Sequence, residues 1–348
     1  MKIGIVTVYN SLNCGSFLQS YALQTILEQM GYEVFFVDAK TRKPLKVTVA
    51  KAINALKRFD FSLCGYLFQE YFSYYKALKL LNTNQTTSDN KETYYILGSD
   101  EIWNIKRPQM KGFPIFWGEG LPLENCISYA PSINNSKAED FSTITSFQHN
   151  IRQLHAVSVR DNISYSELKK IFPELEISIC CDPTVLLEKE DYDVLDKHIG
   201  EGDFVFVYDY DRKREKENEA IISFARDKGL KLVIMGEQSW GDVRVPRDPY
   251  SFISLIRNAK YVITGTFHGT MFSILNGKQF ASIARTNKKI YEILDEYGLS
   301  DRVFDQDGNK SLTEILDTPY DLSKVKEILE IKKQRGKAFL QEALKMEM

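Results

Sequence analysis

The sequence carries no excess of positive charge: 45 Lys and Arg stand against 47 Asp and Glu, a net charge of −2 over 348 residues. That balance argues against nucleic acid as the main partner, which would need a broad basic footprint. It leaves room for a local cationic pocket for a small anion. No run of 18 apolar residues occurs, so no membrane span is expected; peripheral association with a membrane is not excluded. The opening Met1-Lys2-Ile3-Gly4-Ile5-Val6-Thr7-Val8 is too short an apolar run for a signal peptide and reads as a first buried strand. Only five cysteines are present, Cys14, Cys64, Cys126, Cys180 and Cys181. None has metal-finger spacing, adjacent cysteines seldom bridge each other, and all five read as reduced thiols of a cytoplasmic protein. No set of His, Cys, Asp and Glu has metal-ligand spacing, and His149, His155 and His198 sit in no motif. Neither GxGxxG nor a P-loop is found, so neither a dinucleotide nor ATP is expected, and no cofactor is called for. There is no internal repeat and no low-complexity tract.

What is present is an ordinary globular composition, 43% hydrophobic and 12% aromatic, long enough for two domains. Short β-branched runs alternate with amphipathic helices. Strands are expected at Ile3–Val8, Glu33–Val37, Tyr94–Leu97, Ile127–Tyr129, Ala156–Val159 and Ile177–Cys180, then at Phe204–Tyr208, Leu232–Met235, Tyr261–Thr264 and Phe280–Ile283. A helix is expected from Ser16 to Met30, with Leu23, Ile26, Leu27 and Met30 on one face and Gly31 as its stop. Val47–Leu81 reads as two helices broken near Ser62–Gly65, and Asn82–Asn90 as a loop. Later helices fall near Arg214–Lys228, Ser251–Ala259, Thr270–Asn276, Lys288–Tyr297 and Lys324–Met346. The alternation predicts an α/β fold of two Rossmann-like, doubly wound domains with parallel sheets. Their boundaries are placed at 1–183 and 184–323, and residues 324–348 form a helix that crosses back to the first domain.

Open sheets of this kind bind ligands at the carboxyl ends of strands, so the segments that follow strands are the candidates. Gly265-Thr266-Phe267-His268-Gly269-Thr270 follows a strand and opens a helix. Orphan N–H groups there favour an anion, and His268 is placed to deliver a proton; a histidine that only packs at the helix start is an equal alternative. Asn13, Gly15 and Gln19 lie after the first strand, where they can bind hydroxyls or phosphate or merely shape a turn. Gly98-Ser99-Asp100-Glu101-Ile102-Trp103-Asn104 offers Asp100 to a hydroxyl proton and the flat face of Trp103 to a sugar, although Trp is more often core and Asp a helix cap. Arg160 ends a strand and can fork onto a carboxylate or phosphate, or pair with Asp161. Arg285, Lys288 and Lys289 form a local basic cluster. Asp182-Pro183-Thr184 reads as an inter-domain hinge in preference to a catalytic element. Ligand loops in both halves require the domains to face one another over a single cleft, which is expected to close about this hinge when a donor binds.

Taken in order, Asn13-Cys14-Gly15-Ser16-Phe17-Leu18-Gln19, Leu97-Gly98-Ser99-Asp100-Glu101-Ile102-Trp103-Asn104, Ser158-Val159-Arg160-Asp161, Asp182-Pro183-Thr184 and Phe267-His268-Gly269-Thr270 resemble the polysaccharide pyruvyl transferase family. The resemblance implies the glycosyltransferase-B arrangement of two domains. It also implies transfer of a pyruvyl group from phosphoenolpyruvate to a sugar diol, as a ketal, on a polysaccharide or a lipid-linked oligosaccharide precursor. The acceptor would sit on the N-terminal side and the donor on the C-terminal side. The family's catalytic histidine falls on His268 and its donor-binding arginine on Arg160. Asp100 would orient the acceptor, alongside Asn13, Gly15, Gln19 and Trp103. Thr266, Phe267, Gly269, Thr270, Arg285 and Lys289 would line the donor site. Better-studied members carry an arginine two residues before that histidine, where Thr266 stands here. A glycosyltransferase using a nucleotide sugar and a non-catalytic carbohydrate-binding relative are the competing readings.

Overall fold

Every strand read from the sequence forms, with ends displaced by no more than two residues. The computed structural model describes residues 1–39, 44–83, 93–197, 202–209, 215–285, 287–305, 308 and 310–345. Most of the expected loop Asn82–Asn90, together with His198, Arg214 and Met346, lies outside the described residues. Strands β1 (Lys2–Val6), β2 (Glu33–Phe36), β3 (Thr93–Leu97), β4 (Cys126–Ser128), β5 (Ala156–Val159) and β6 (Ile177–Ile179) build one parallel sheet in the order 2-1-3-4-5-6. Strands β7 (Phe204–Tyr208), β8 (Lys231–Met235), β9 (Val243–Val245), β10 (Tyr261–Thr264) and β11 (Gln279–Ser282) build a second, in the order 11-10-7-8-9. The unexpected β9 is a three-residue edge strand with no apolar run to announce it. Sheets covered on both faces need near-continuous apolar strands, and the fully buried Phe204–Tyr208 shows why these segments were legible.

The helices are α1 (Cys14–Gln29), α2 (Pro44–Lys57), α3 (Phe61–Leu78), α4 (Pro108–Lys111), α5 (Thr145–Ile151), α6 (Asn162–Ile171), α7 (Glu215–Asp227), α8 (Pro249–Asn258), α9 (Phe267–Leu275), α10 (Lys288–Glu296), α11 (Leu312–Asp317) and α12 (Leu322–Leu344). Helix α1 starts two residues before the expected Ser16, because the Asn13 side chain accepts from the N–H groups of Gly15 and Ser16 and caps the helix there. The break between α2 and α3 falls at 58–60 rather than at Ser62–Gly65. Phe59 takes φ +58° and Asp60 accepts from the Leu63 N–H, which starts α3; Gly65 is carried inside that helix.

One face of the first sheet is covered by a core that includes Trp103, Phe116, Phe141 and Phe147. The opposite face shares a continuous apolar cluster with the second sheet. It runs from Phe17, Leu18 and Tyr74 through Leu186 and Tyr192 to Phe206, Phe252 and Phe272. Helix α12 contributes Leu340, Ala343 and Leu344 to that cluster. Gly336 passes so close to Tyr129 that a Cβ there would lie 2.6 Å from the phenol oxygen, and the Phe339 ring sits 6.1 Å from that of Tyr129. In both sheets the strand order reverses about a central strand, between β1 and β3 in one and between β7 and β10 in the other. These two switch points are where ligand crevices form, and they open towards each other.

Candidate functional site

Helices α1 and α9 meet end to end across the two sheets. Gly15 is the second residue of α1 and His268 the second of α9. A Cβ on Gly15 would lie 2.6 Å from Cγ and 2.7 Å from Cε1 of the imidazole, so only glycine admits the ring. First-turn N–H groups have no partner within a helix and carry the positive end of its dipole. Asn13 and Thr266 already accept from the N–H groups of Gly15, Ser16 and Gly269, so what the two ends bring to one region is chiefly the positive pole of each helix, which suits an anion. The cleft there has a volume of about 220 Å³, and Ser16, Asp100, Arg160, Thr266, His268 and Lys289 are among its walls.

His268 is backed by a carboxylate. Its Nε2 lies 3.6 Å from Asp182 Oδ2, too long for a hydrogen bond and close enough for direct electrostatic attraction. Among the described residues the buried Nε2 has no hydrogen-bond partner. Asp182 also accepts from Arg160 Nη1 at 2.8 Å and, on its other oxygen, from the Thr184 hydroxyl at 2.8 Å and the Thr184 N–H at 3.1 Å. Burial alone would raise the Asp182 pKa. The neighbouring imidazole, the Arg160 guanidinium and the Thr184 donors outweigh it and hold the carboxyl well below the usual carboxylate range. The Asp182 carboxylate thus sets a negative charge beside the imidazole at a positive helix end. Arg160 is itself buried, and its guanidinium carbon lies over the Phe267 ring, 4.5 Å from its centre. Its Nε has no partner among the described residues. Burial would lower its pKa, but Asp182, Asp100, Asp161 and Glu101 together raise it, so it is permanently charged.

A second charged group comes from α10. Lys289 Nζ, almost fully buried, pairs with Glu101 Oε1 at 2.8 Å across the cleft. Glu101 also meets Arg107 at 3.2 Å. Burial pushes the Lys289 pKa down. Burial would raise the Glu101 pKa, yet the two cations hold it well below the usual range. Asp100 sits at φ +70°, a backbone region that few side chains other than Asn and Asp tolerate. Its carboxylate accepts from the Ser16 hydroxyl at 2.7 Å and from the Glu101 N–H at 2.8 Å, tying the loop after β3 to the start of α1.

The sequence candidates divide accordingly. The structure brings His268, Asp100, Arg160, Thr266, Phe267, Lys289 and Asn13 to the cleft wall, and Gly15 beneath the imidazole. Four others serve the framework instead. Gln19 is fully buried, its amide nitrogen donating to the Thr7 hydroxyl, the Ser16 carbonyl and the Ser20 hydroxyl while its oxygen accepts from the Ser99 N–H. Trp103 has no exposed face for a sugar: it lies in the core, donates to the Phe116 carbonyl at 2.8 Å and meets Phe147 edge-on. Thr270 is buried, with its hydroxyl on the Thr266 carbonyl and Ser282. Gly269 lets α9 pack on its own cap, since a Cβ there would stand 2.7 Å from Thr266 Oγ1. Arg285 does not line the cleft; it pairs with Glu217 of α7. Thr266 caps α9 by accepting from the Gly269 N–H at 2.9 Å, so it acts as a neutral hydroxyl where a cation was looked for. The sequence reading preferred a hinge for Asp182 and gave Glu101 no role of its own, yet both carboxylates pair with cations of the cleft. Asp182 caps a 3-10 turn at Pro183–Val185, as a hinge residue would, and only the three-dimensional arrangement sets its carboxylate beside the loop after β10. Among the described residues no group of three or more His, Cys, Asp or Glu is placed to hold a metal ion, and no helix is long and apolar enough to cross a membrane.

Two parallel α/β domains with crevices facing one another over a shared cleft define a protein of the glycosyltransferase-B arrangement. Within that class the chain belongs to the polysaccharide pyruvyl transferase family, whose model matches residues 13–287. Among solved structures it is similar to a UDP-N-acetylglucosamine 2-epimerase at 11% identity and a TM-score of 0.54, over 97% of this chain and 94% of that one. The UDP-GlcNAc 2-epimerase of Methanocaldococcus jannaschii, in complex with UDP-GlcNAc and UDP, aligns at 9% identity and a TM-score of 0.51, over 98% and 99%. A functionally uncharacterised protein of Klebsiella pneumoniae aligns at 11% identity and 0.50, over 87% and 93%. At such identities the likeness is one of fold. No curated protein matches the sequence.

Proposed function

We propose that this protein transfers a pyruvyl group from phosphoenolpyruvate to two hydroxyls of a sugar, forming a ketal. The observation that carries this reading is the meeting of two helix N-termini over Arg160, Lys289 and a carboxylate-backed His268. Phosphoenolpyruvate has two anionic groups close together, a phosphate and a carboxylate. Two positive helix ends and two buried cations match that pair. With Thr266 neutral, Lys289 takes the place of the missing family arginine.

In the proposed reaction the methylene carbon of the donor gains a proton, which leaves a cationic centre at the adjacent carbon. A sugar hydroxyl attacks that centre and loses its proton. The carbon–phosphate-oxygen bond then breaks, phosphate leaves as the monohydrogen anion, and the second hydroxyl closes the ketal and loses its own proton. The two protons lost by the hydroxyls balance those gained by the methylene and the phosphate. His268, as an imidazolium stabilised by Asp182, gives a proton to the donor and recovers one from the acceptor. Asp100, held by Ser16, orients the acceptor hydroxyl, and the wall of the cleft excludes water that would quench the cation. The test is incubation of the purified protein with phosphoenolpyruvate and a panel of free and lipid-linked sugar diols. Phosphate release together with the mass increment of a pyruvate ketal is expected. Turnover of a nucleotide sugar, with none of phosphoenolpyruvate, would reject the proposal.

A further inference from the structure

Many of the exposed large apolar side chains among the described residues lie outside the cleft, on the α2–α3 hairpin. The seam between the helices is thin, with Thr48, Ala52 and Ala55 as the buried residues of α2 and Ala52 packing with Tyr66 and Leu67. Leu45, Val49, Ile53 and Leu56 remain exposed. At 3.6 residues per turn these four fall within an arc of about 80°, a single stripe along α2. On α3, Phe61, Phe72 and Tyr75 form a matching exposed stripe. The two stripes adjoin, because Leu45 and Tyr75 line the same groove. At the turn between the helices Phe59 and Phe61 stand 80% and 68% exposed, which is rare for phenylalanine in a protein that keeps its surface to itself.

The charge on α2 and on the turn as far as Phe59 has one sign; the first carboxylate beyond it is the exposed Asp60, which accepts from the Leu63 N–H. Residues 44–59 hold Lys46, Lys51, Lys57 and Arg58 and no acidic residue, in a chain whose net charge is −2. Lys51 is engaged by Glu237, while Lys46, Lys57 and Arg58 are exposed. Lys46 and Lys57 fall along one border of the apolar stripe of α2. An apolar stripe bordered by cations, with aromatic rings at its tip, is the signature of a helix that lies in the headgroup layer.

We propose that the α2–α3 hairpin docks this protein on the surface of an anionic lipid bilayer. Phe59, Phe61 and the stripe of α2 enter the headgroup region, and Lys46, Lys57 and Arg58 meet lipid phosphates. The docking face adjoins the cleft. Its groove reaches Asn10 and Leu12 in the loop after β1, and the Tyr74 hydroxyl donates to the carbonyls of Tyr9 and Asn13 in the same loop. Docking would therefore bring the cleft mouth to the bilayer, within reach of a lipid-anchored acceptor. The proposal goes beyond the transfer reaction and does not depend on it.

Co-sedimentation of the full chain with phosphatidylglycerol-containing vesicles, against pure phosphatidylcholine vesicles, tests it at low and high salt. Binding to the anionic vesicles that weakens with salt is expected, with far less on the neutral ones. Phe59→Ser/Phe61→Ser should reduce partitioning by roughly tenfold or more. Lys46→Glu/Lys57→Glu should reduce it by about fivefold per residue. Both variants should keep the wild-type melting temperature. Wild-type protein that ignores anionic vesicles, or variants that bind as wild type does, would overturn the proposal. So would a dimer, detected by light scattering, that the phenylalanine substitutions dissociate without any vesicle binding, since that result assigns the face to a second copy.

Discussion

Replacing Gly15 with alanine is the sharpest test of the proposed active site, because it perturbs the proposed catalytic His268 from the other domain by one methyl group. Carbon atoms rest about 3.5–4.0 Å apart, whereas the new methyl would stand 2.6 Å from Cγ and 2.7 Å from Cε1 of His268. The imidazole must then withdraw by about 1 Å, and a displacement of that size at a reacting group lowers the rate about 100-fold. Stability should change little. Alanine favours a helix over glycine by about 1 kcal/mol, and the overpacking it brings costs about 1–3 kcal/mol, so the two effects partly cancel. The expected result is a variant with a near-native melting temperature, near-native donor affinity by calorimetry, and kcat for phosphate release reduced about 100-fold. A folded Gly15→Ala protein turning over at the wild-type rate would refute the reasoning. The imidazole would then not need the place it occupies, and the meeting point of the two helices would not be where the chemistry happens.

Removing the imidazole itself, by His268→Ala, should leave the fold intact and lower turnover by about 100- to 10,000-fold, measured by phosphate release. Asp182→Asn keeps an acceptor for Thr184 but leaves Arg160 buried without its counter-charge, which should cost about 3–5 kcal/mol in chemical denaturation. Because the folded Asp182 pKa is depressed, its stabilisation is complete above the unfolded value of about 3.9 and is lost as pH falls towards the folded one. The wild type should therefore lose stability below about pH 4 more steeply than the variant, and parallel slopes would remove Asp182 from the ionic network. Lys289→Met should raise KM for phosphoenolpyruvate by tenfold or more while Arg285→Ala leaves it unchanged, since only the first side chain reaches the cleft; the estimate is roughly that for a lost charge-assisted bond. The apolar cluster shared by both sheets favours a fixed relation between the domains. Solution scattering should accordingly show the same radius of gyration with and without saturating donor, in place of the closure that the loop arrangement alone suggests.

The fold was legible because buried parallel strands are written as short β-branched runs, and Phe204–Tyr208 and Tyr261–Thr264 have the same limits in sequence and structure. The edge strand β9 was not legible, since Val243-Arg244-Val245 buries too little to need an apolar pattern. His268, Arg160 and Asp100 were expected at one cleft because each follows a strand, and they line it because the carboxyl ends of parallel strands converge. Trp103 and Gln19 follow the same rule and are nevertheless structural. The rule locates a loop; it does not say which side chains of the loop turn towards the cleft. The approach of Asp182 to His268 and the pairing of Glu101 with Lys289 were out of reach for a different cause: these partners lie 86 and 188 positions apart in sequence, and no local pattern encodes a contact across two sheets.

Helix α12 sets an order on synthesis. Tyr129 belongs to the loop after β4, yet its neighbours Gly336 and Phe339 are made far later in the chain. At a translation rate of about 5–20 residues per second, the first sheet is complete on the order of ten seconds before the segment that covers it exists. During that interval the nascent chain exposes the surface that Leu340, Ala343 and Leu344 later bury. The first half must then remain soluble, or be held by a chaperone, without its final layer. A deletion of α12 would make that transient state permanent, so it would register first as aggregation in the cell and only afterwards as loss of any reaction.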